Sequence, residues 1–81
     1  MEEYYLFTFE STHAAIATEK LLKPAGGVVM PVPRFISSSC GISIRINPEN
    51  HEQAQNLVRE SSIDDYNYYH VTDGKCERVN I

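Results

Sequence analysis

Apolar residues that alternate with polar ones, or that concentrate aromatic and β-branched side chains, predict four β-strands and a shorter fifth. In residues 41–46, three isoleucines occupy one parity and Ser43 and Arg45 the other. We therefore expect this strand to have one buried and one wet face. Residues 4–9 are apolar on both parities, which indicates a central strand. The predicted strands are 4–9, 28–33, 41–46, 66–71 and a short fifth strand at 75–79, which follows a tight turn at Asp73 and Gly74.

Two further segments have the spacing of amphipathic helices. The first covers residues 13–23, and Ser11 or Thr12 is its expected N-cap, because either side chain can accept a bond from a free helical N–H. The second runs from the proline after Asn47 to about residue 61, with Asn47 as its N-cap. The expected apolar stripes are Ala14, Ala17, Leu21 and Leu22 in the first helix, and His51, Ala54, Leu57 and Val58 in the second.

The order of these elements predicts the fold class. β-α-β-β-α-β with short, right-handed connections is the ferredoxin-like α+β sandwich, in which two helices cover one face of an antiparallel sheet. Its usual strand order, four-one-three-two, places strand two at an edge. Pro31 and Pro33 fit that position, because proline cannot donate to a sheet ladder. The short fifth strand would be a C-terminal addition to this arrangement.

Length and charge limit the classes of function. At 81 residues with a formal charge of −4, residues 1–81 are expected to form one small domain without the basic patch that nucleic-acid binding needs. No apolar run approaches a membrane span, and the acidic first residues do not resemble a signal peptide, so we expect a cytoplasmic protein. The chain has no motif for a cofactor or a phosphate. Its histidines, at 13, 51 and 70, are scattered and predict no metal site.

The candidate chemistry lies in the connection between strands two and three. Cys40 is preceded by three serines and followed by Gly41, and Arg34 lies six residues before it. A thiol on a polar turn with a cation nearby has the surroundings of a reactive cysteine. The same residues also suit a polar hairpin turn that carries an incidental surface cysteine, and the composition alone does not decide between the two. The serines are Ser37, Ser38 and Ser39.

The predicted topology places this connection at the end of the sheet where strand one closes and helix one begins. Cys40 is therefore expected near Ser11, Thr12 and His13, with the loop 61–65 as a rim. The free N–H groups of a helix start can stabilise a thiolate, and a histidine can exchange a proton with it. Each residue also has a plainer role, since serine and threonine are ordinary helix caps and a first-turn histidine is usually solvated.

The remaining charged and sulfur-containing residues have plain interpretations as well. Arg34 on an edge strand can simply discourage strand pairing. Cys76 is expected at the far end of the sheet, too distant for a disulfide with Cys40, because a strand of six residues spans about 20 Å and a bridge needs Cα atoms within about 7 Å. We interpret Cys76 as an incidental strand residue.

Two segments of the chain resemble a known family. Residues 8–14, which read TFESTHA, and residues 33–41, which read PRFISSSCG, are similar to the small selenium/sulfur carrier protein-like family, and the likeness covers nearly the whole chain. The resemblance implies that Cys40 accepts sulfur or selenium as a persulfide or selenopersulfide from a donor protein and passes it to an acceptor enzyme. Arg34, Gly41 and the serines before Cys40 would then form the binding surroundings.

Other classes of function remain open at this point. A regulatory or protein-interaction module of the same fold would use Cys40 only structurally. A metal-trafficking domain ranks lowest, because the first loop, residues 10–13, has no cysteine. No carboxylate pair or catalytic triad is suggested, so we do not expect an enzyme. A homodimer is open if several of the five tyrosines lie on the sheet face without helices.

Overall fold

The computed structural model describes residues 2–36 and 41–79 and confirms the predicted α+β fold. Every predicted strand and helix is present, and most observed ends lie close to the predicted ones. The second helix begins later than predicted, at His51, and Asn47 precedes a 3-10 turn without a capping side-chain bond. A short 3-10 turn follows the first helix and another precedes the second. The strands are β1 (Glu3–Phe9), β2 (Val28–Pro31), β3 (Ile42–Ile46), β4 (Tyr66–Thr72) and β5 (Lys75–Arg78), and the helices are α1 (Thr12–Leu22) and α2 (His51–Glu60).

The five strands form one antiparallel sheet in the order β2-β3-β1-β4-β5. The first four strands of this order reproduce the ferredoxin-like arrangement, and β5 continues the sheet beyond β4. β4 and β5 are joined at Asp73 and Gly74, whose φ angles of 49° and 82° are those of a tight hairpin turn. β1 is central, as its apolar composition predicts, and β2 forms one edge.

In the edge strand β2, a proline occupies a position whose backbone faces the unpaired edge of the sheet. The N–H of Val32 donates to the carbonyl of Gly41 at 3.3 Å, and the register continues from there with Pro31 opposite Ile42. Because antiparallel partners alternate between bonded and non-bonded pairs, Val29 and Pro31 are the β2 positions that face outward. Since proline has no N–H, the outer edge of β2 presents a single donor, that of Val29.

Both helices pack on the same face of the sheet and enclose the main core. Phe7 and Phe9 of β1 and Ile44 of β3 are completely buried there, and the apolar faces of the two helices meet them. The stripe predicted for α2 is confirmed, with Ala54 and Val58 buried and the other two residues half-buried. The buried residues of this core are Phe7, Phe9, Ala14, Ala15, Leu22, Ala25, Ile44, Ile46, Ala54, Val58 and Tyr68.

The stripe predicted for α1 is partly wrong. Ala17 and Leu21 are only half-buried, and Thr18 is completely buried instead. Thr18 can occupy that position because its hydroxyl donates to the carbonyl of Ala14 at 2.8 Å, so the buried polar atom has a partner. A threonine that bonds to its own helix therefore replaces an apolar residue, and the buried stripe is displaced by one position.

The opposite face, here called the helix-free face, is covered in part by the chain that follows β2. Residues 32–36, called the arm, contribute Ile36, which is 7% exposed. It packs in a second cluster with Tyr4, Leu6 and Val71. The expectation of a solvent-exposed face on β3 is wrong at Ser43, which is completely buried and donates to the carbonyl of Met30 at 3.0 Å.

Among the described residues, neither helix has the length and apolar composition that a membrane crossing requires.

Candidate functional site

The start of α1 is fixed by Ser11, which has two hydrogen bonds. Its Oγ accepts from the N–H of Ala14 at 3.2 Å and donates to a carboxylate oxygen of Asp65 at 3.3 Å. Ser11 is therefore the N-cap, and the Asp65 contact ties the loop 61–65 to the same end of the molecule, as the sequence predicts. Thr12 and His13 follow in the first turn, and both are exposed.

The arm presents two exposed side chains next to one buried anchor. Ile36 donates its N–H to the carbonyl of Pro33 at 3.0 Å, which closes a turn. Arg34 and Phe35 lie on the outside of that turn, and Phe35 is 46% exposed although it is a large apolar residue. The turn therefore exposes the side chains of Arg34 and Phe35 to solvent, while the next side chain, that of Ile36, is buried against the sheet.

Gly41 begins the return into β3 and is exposed. A Cβ added at this position would meet no heavy atom of the described residues within 4 Å. Crowding by those residues therefore does not require a glycine here. The absent side chain leaves open space beside the end of β3.

The other four predicted site residues, Ser37, Ser38, Ser39 and Cys40, lie outside the described residues. The flanking residues show how the predicted site is divided. Thr8 of β1 pairs with Ser43 of β3, so Gly41 lies at the end of the sheet where β1 closes. The segment 11–13 belongs to the helix layer at that end, whereas Arg34 belongs to the arm on the other face. The structure thus distributes the predicted residues over two layers.

The opposite end of the sheet contains a stack of rings that sequence reasoning missed. Tyr5 lies between His51, at a centroid distance of 3.8 Å, and His70, at 4.5 Å. His51 Nδ1 lies 2.8 Å from the hydroxyl of Tyr68, and His70 Nε2 lies 2.6 Å from a carboxylate oxygen of Glu3. The signal that could have identified this cluster is the shared parity of Tyr5 in β1 and Tyr68 and His70 in β4.

Burial changes the acid–base properties of this stack. Desolvation, followed by the charge of His70, lowers the pKa of His51 below its ordinary value. Burial also raises the pKa of Tyr68, so its phenol keeps its proton beside Nδ1 of His51. In the described parts of the chain, no group of three or more histidine, cysteine or acidic side chains is arranged to hold a metal ion.

The order of the strands and the two helices on one face of the sheet define a small ferredoxin-like α+β domain. The family model described as "Putative Se/S carrier protein-like" matches residues 4–70, which extend from β1 into β4 and include position 40. The chain belongs to this family. No curated protein and no solved structure matches the chain.

Proposed function

We propose that the protein is a sulfur or selenium carrier that holds the transferred atom on Cys40. The observation that carries the proposal is the family match, which spans the connection between β2 and β3. The described residues around that connection support it. Arg34 and Phe35 are exposed before it, and Gly41 leaves open space after it.

The proposed chemistry is an exchange between thiols in which nothing is oxidised overall. The thiolate of Cys40 attacks the outer sulfur of a persulfide on the donor protein. A bond forms between the Cys40 sulfur and that outer sulfur, the donor's own sulfur–sulfur bond breaks, and the donor leaves as a thiolate. The acceptor's nucleophile then attacks the same outer atom and releases the Cys40 thiolate. With selenium, the outer atom is selenium and the bonds change in the same way.

A carrier of this kind needs surfaces that a donor protein and an acceptor enzyme can both contact. Arg34 and Phe35 offer a cation and an exposed aromatic ring on one turn, and both residue types are enriched at protein–protein contacts. We therefore assign these two residues to partner docking. Ser11 and Asp65, which are bonded to each other, hold the rim on the helix side of the same end.

The experiment that tests the proposal compares the two cysteines of the native protein. Alkylation of Cys40 and Cys76 is followed separately by mass spectrometry as a function of pH. We expect Cys40 to react well below pH ~8 and at lower pH than Cys76, which is half-buried in β5. Incubation with a low-molecular-weight persulfide should then add one sulfur atom to Cys40, and the addition should be reversed by reductant.

Two variants make the result specific. Cys76→Ser should keep the added sulfur, and Cys40→Ser should lose it. If Cys40 is no more reactive than Cys76, the activated-thiolate mechanism is wrong. A protein-interaction module of the same fold then becomes the better description, and it predicts that Cys40→Ser retains its binding partners.

A further inference from the structure

A cavity of about 400 Å³ opens at the edge of the sheet beyond β4, away from the arm. Its walls come from the C-terminal turn of α2, the loop 61–64, the start of β4 and the end of β5. Pockets that bind small molecules have volumes of about 300 to 1,000 Å³. The cavity is therefore large enough for a compact organic molecule. Its wall shares the loop 61–64 with the rim predicted beside Cys40, whereas Arg34, Phe35 and Gly41 do not line it.

The walls combine an apolar part with two arginines. Val58, Ile63 and Tyr66 provide apolar surface, while Arg59 from α2 and Arg78 from β5 approach from different elements. The side chain of Arg78 is held in place, because its Nη2 donates to the amide oxygen of Asn67 at 2.6 Å. One bond to Asn67 leaves most of the N–H donors of this guanidinium available for a ligand.

The charge of the cavity is opposite to that of the protein. The whole chain has a formal charge of −4, yet two arginines and only one carboxylate, that of Asp64, line this space. Within residues 2–36 and 41–79, neither Arg59 nor Arg78 has a carboxylate partner within 4 Å, and the contact of His70 with Glu3 lies at the other end of β1.

We propose that this cavity binds a small molecule that has an apolar body and a carboxylate or phosphate head. The guanidinium groups of Arg59 and Arg78 bind the oxyanion, since a planar guanidinium matches its geometry with two parallel bonds. Val58, Ile63 and the ring of Tyr66 contact the apolar body, and Asn67 positions Arg78. This site is separate from the cysteine chemistry and requires no thiol.

The test is a titration of the full-length, isotope-labelled protein, followed by backbone amide resonances. Phenyl phosphate and benzoate are the probes, and benzamide, which has a similar ring without the charge, is the matched control. We expect saturable shifts at residues that line the cavity with the two anions, and weak, non-saturating shifts with benzamide. The tighter of the two anions identifies the head group that the site prefers.

Three variants locate the effect. Arg59→Gln and Arg78→Gln should each weaken phenyl phosphate binding by about tenfold, the usual loss for one charge-assisted hydrogen bond. Arg34→Gln removes an exposed arginine elsewhere and should leave the affinity unchanged. Arg78 is bonded to Asn67 within the β4–β5 hairpin, whereas Arg59 lies in α2, so Arg59→Gln keeps the test valid if Arg78→Gln disturbs that hairpin.

Three outcomes would overturn the proposal. Equal binding of benzamide would show that only apolar contact is made. An equal loss on Arg34→Gln would show general attraction between charges rather than a site. Saturable shifts that fall outside the cavity, or none with either anion, would show that the two arginines do not form a binding site.

Discussion

Ile36 is the anchor of the arm, and its replacement tests how the connection before Cys40 is held. The side chain is 7% exposed and packs on Tyr4, Leu6 and Val71 of the helix-free face. Ile36→Ala removes three carbon atoms from this contact. At about 0.8 kcal/mol for each buried carbon, the loss of transfer free energy is about 2.4 kcal/mol.

The full cost depends on whether the arm can close the space that is left. A rigid site adds a cavity term, and buried isoleucine-to-alanine changes typically cost about 2 to 5 kcal/mol. Because the second cluster is small and lies at a surface, the arm can partly collapse onto the sheet. We therefore expect a loss near the lower end, about 2 to 3 kcal/mol in the free energy of unfolding.

Urea unfolding followed by circular dichroism measures this loss, and Phe35→Ala is the matched control. Phe35 is the preceding residue and is largely exposed, so its replacement should change stability by no more than about 0.5 kcal/mol. Amide exchange at Tyr4, Leu6 and Val71 should also become faster in Ile36→Ala, because their side chains pack in one cluster with Ile36. A loss below about 0.5 kcal/mol for Ile36→Ala would refute the role of Ile36 as an anchor.

Three further changes probe other parts of the molecule. Ser11→Ala removes the N-cap and the bond to Asp65 and should lower the free energy of unfolding by about 1 kcal/mol in urea titration; an unchanged midpoint would contradict the capping role. The lowered pKa of His51 means that its stability contribution is present above about pH 6.5 and is lost as pH falls through the lower folded pKa. Urea midpoints between pH 5 and 7.5 should therefore decline toward acid, and His51→Phe, which keeps a ring against Tyr5, should flatten that decline; an equally steep curve would refute the assignment. Thr8→Val should match or exceed the natural stability in the same assay, because the buried Thr8 hydroxyl has no partner among the described residues; a loss above about 1 kcal/mol would show that it has one.

Much of the fold could be predicted from local patterns of apolar and polar residues, because each pattern is compatible with few structures. The alternation through Ile42, Ile44 and Ile46 fixes which side of β3 meets the helices, and Pro31 restricts β2 to an edge. With the order of elements known, the handedness of connections leaves one common topology. These are properties of neighbouring residues, so they can be read from a single sequence.

The surroundings of the site could not be predicted in the same way. Ile36 is a single apolar residue in a polar connection. The neighbouring sequence does not indicate that its side chain packs on Tyr4 and Leu6. Ser43 was expected to be solvent-exposed because it alternates with isoleucines in β3. That alternation contains no information about segments outside the strand. The ring stack and the cavity likewise depend on side chains from three or more elements, and their meeting is decided by packing rather than by spacing.

The outer edge of β2 has a consequence for how the protein behaves at high concentration. A sheet can grow when a strand of another molecule pairs with its exposed edge. Such pairing needs both hydrogen-bond donors and acceptors on that edge. β2 has a proline at one of its two outward positions. Its outer edge can therefore accept hydrogen bonds from an added strand but can donate few. Addition of a further strand to this side of the molecule is thereby disfavoured at its first step.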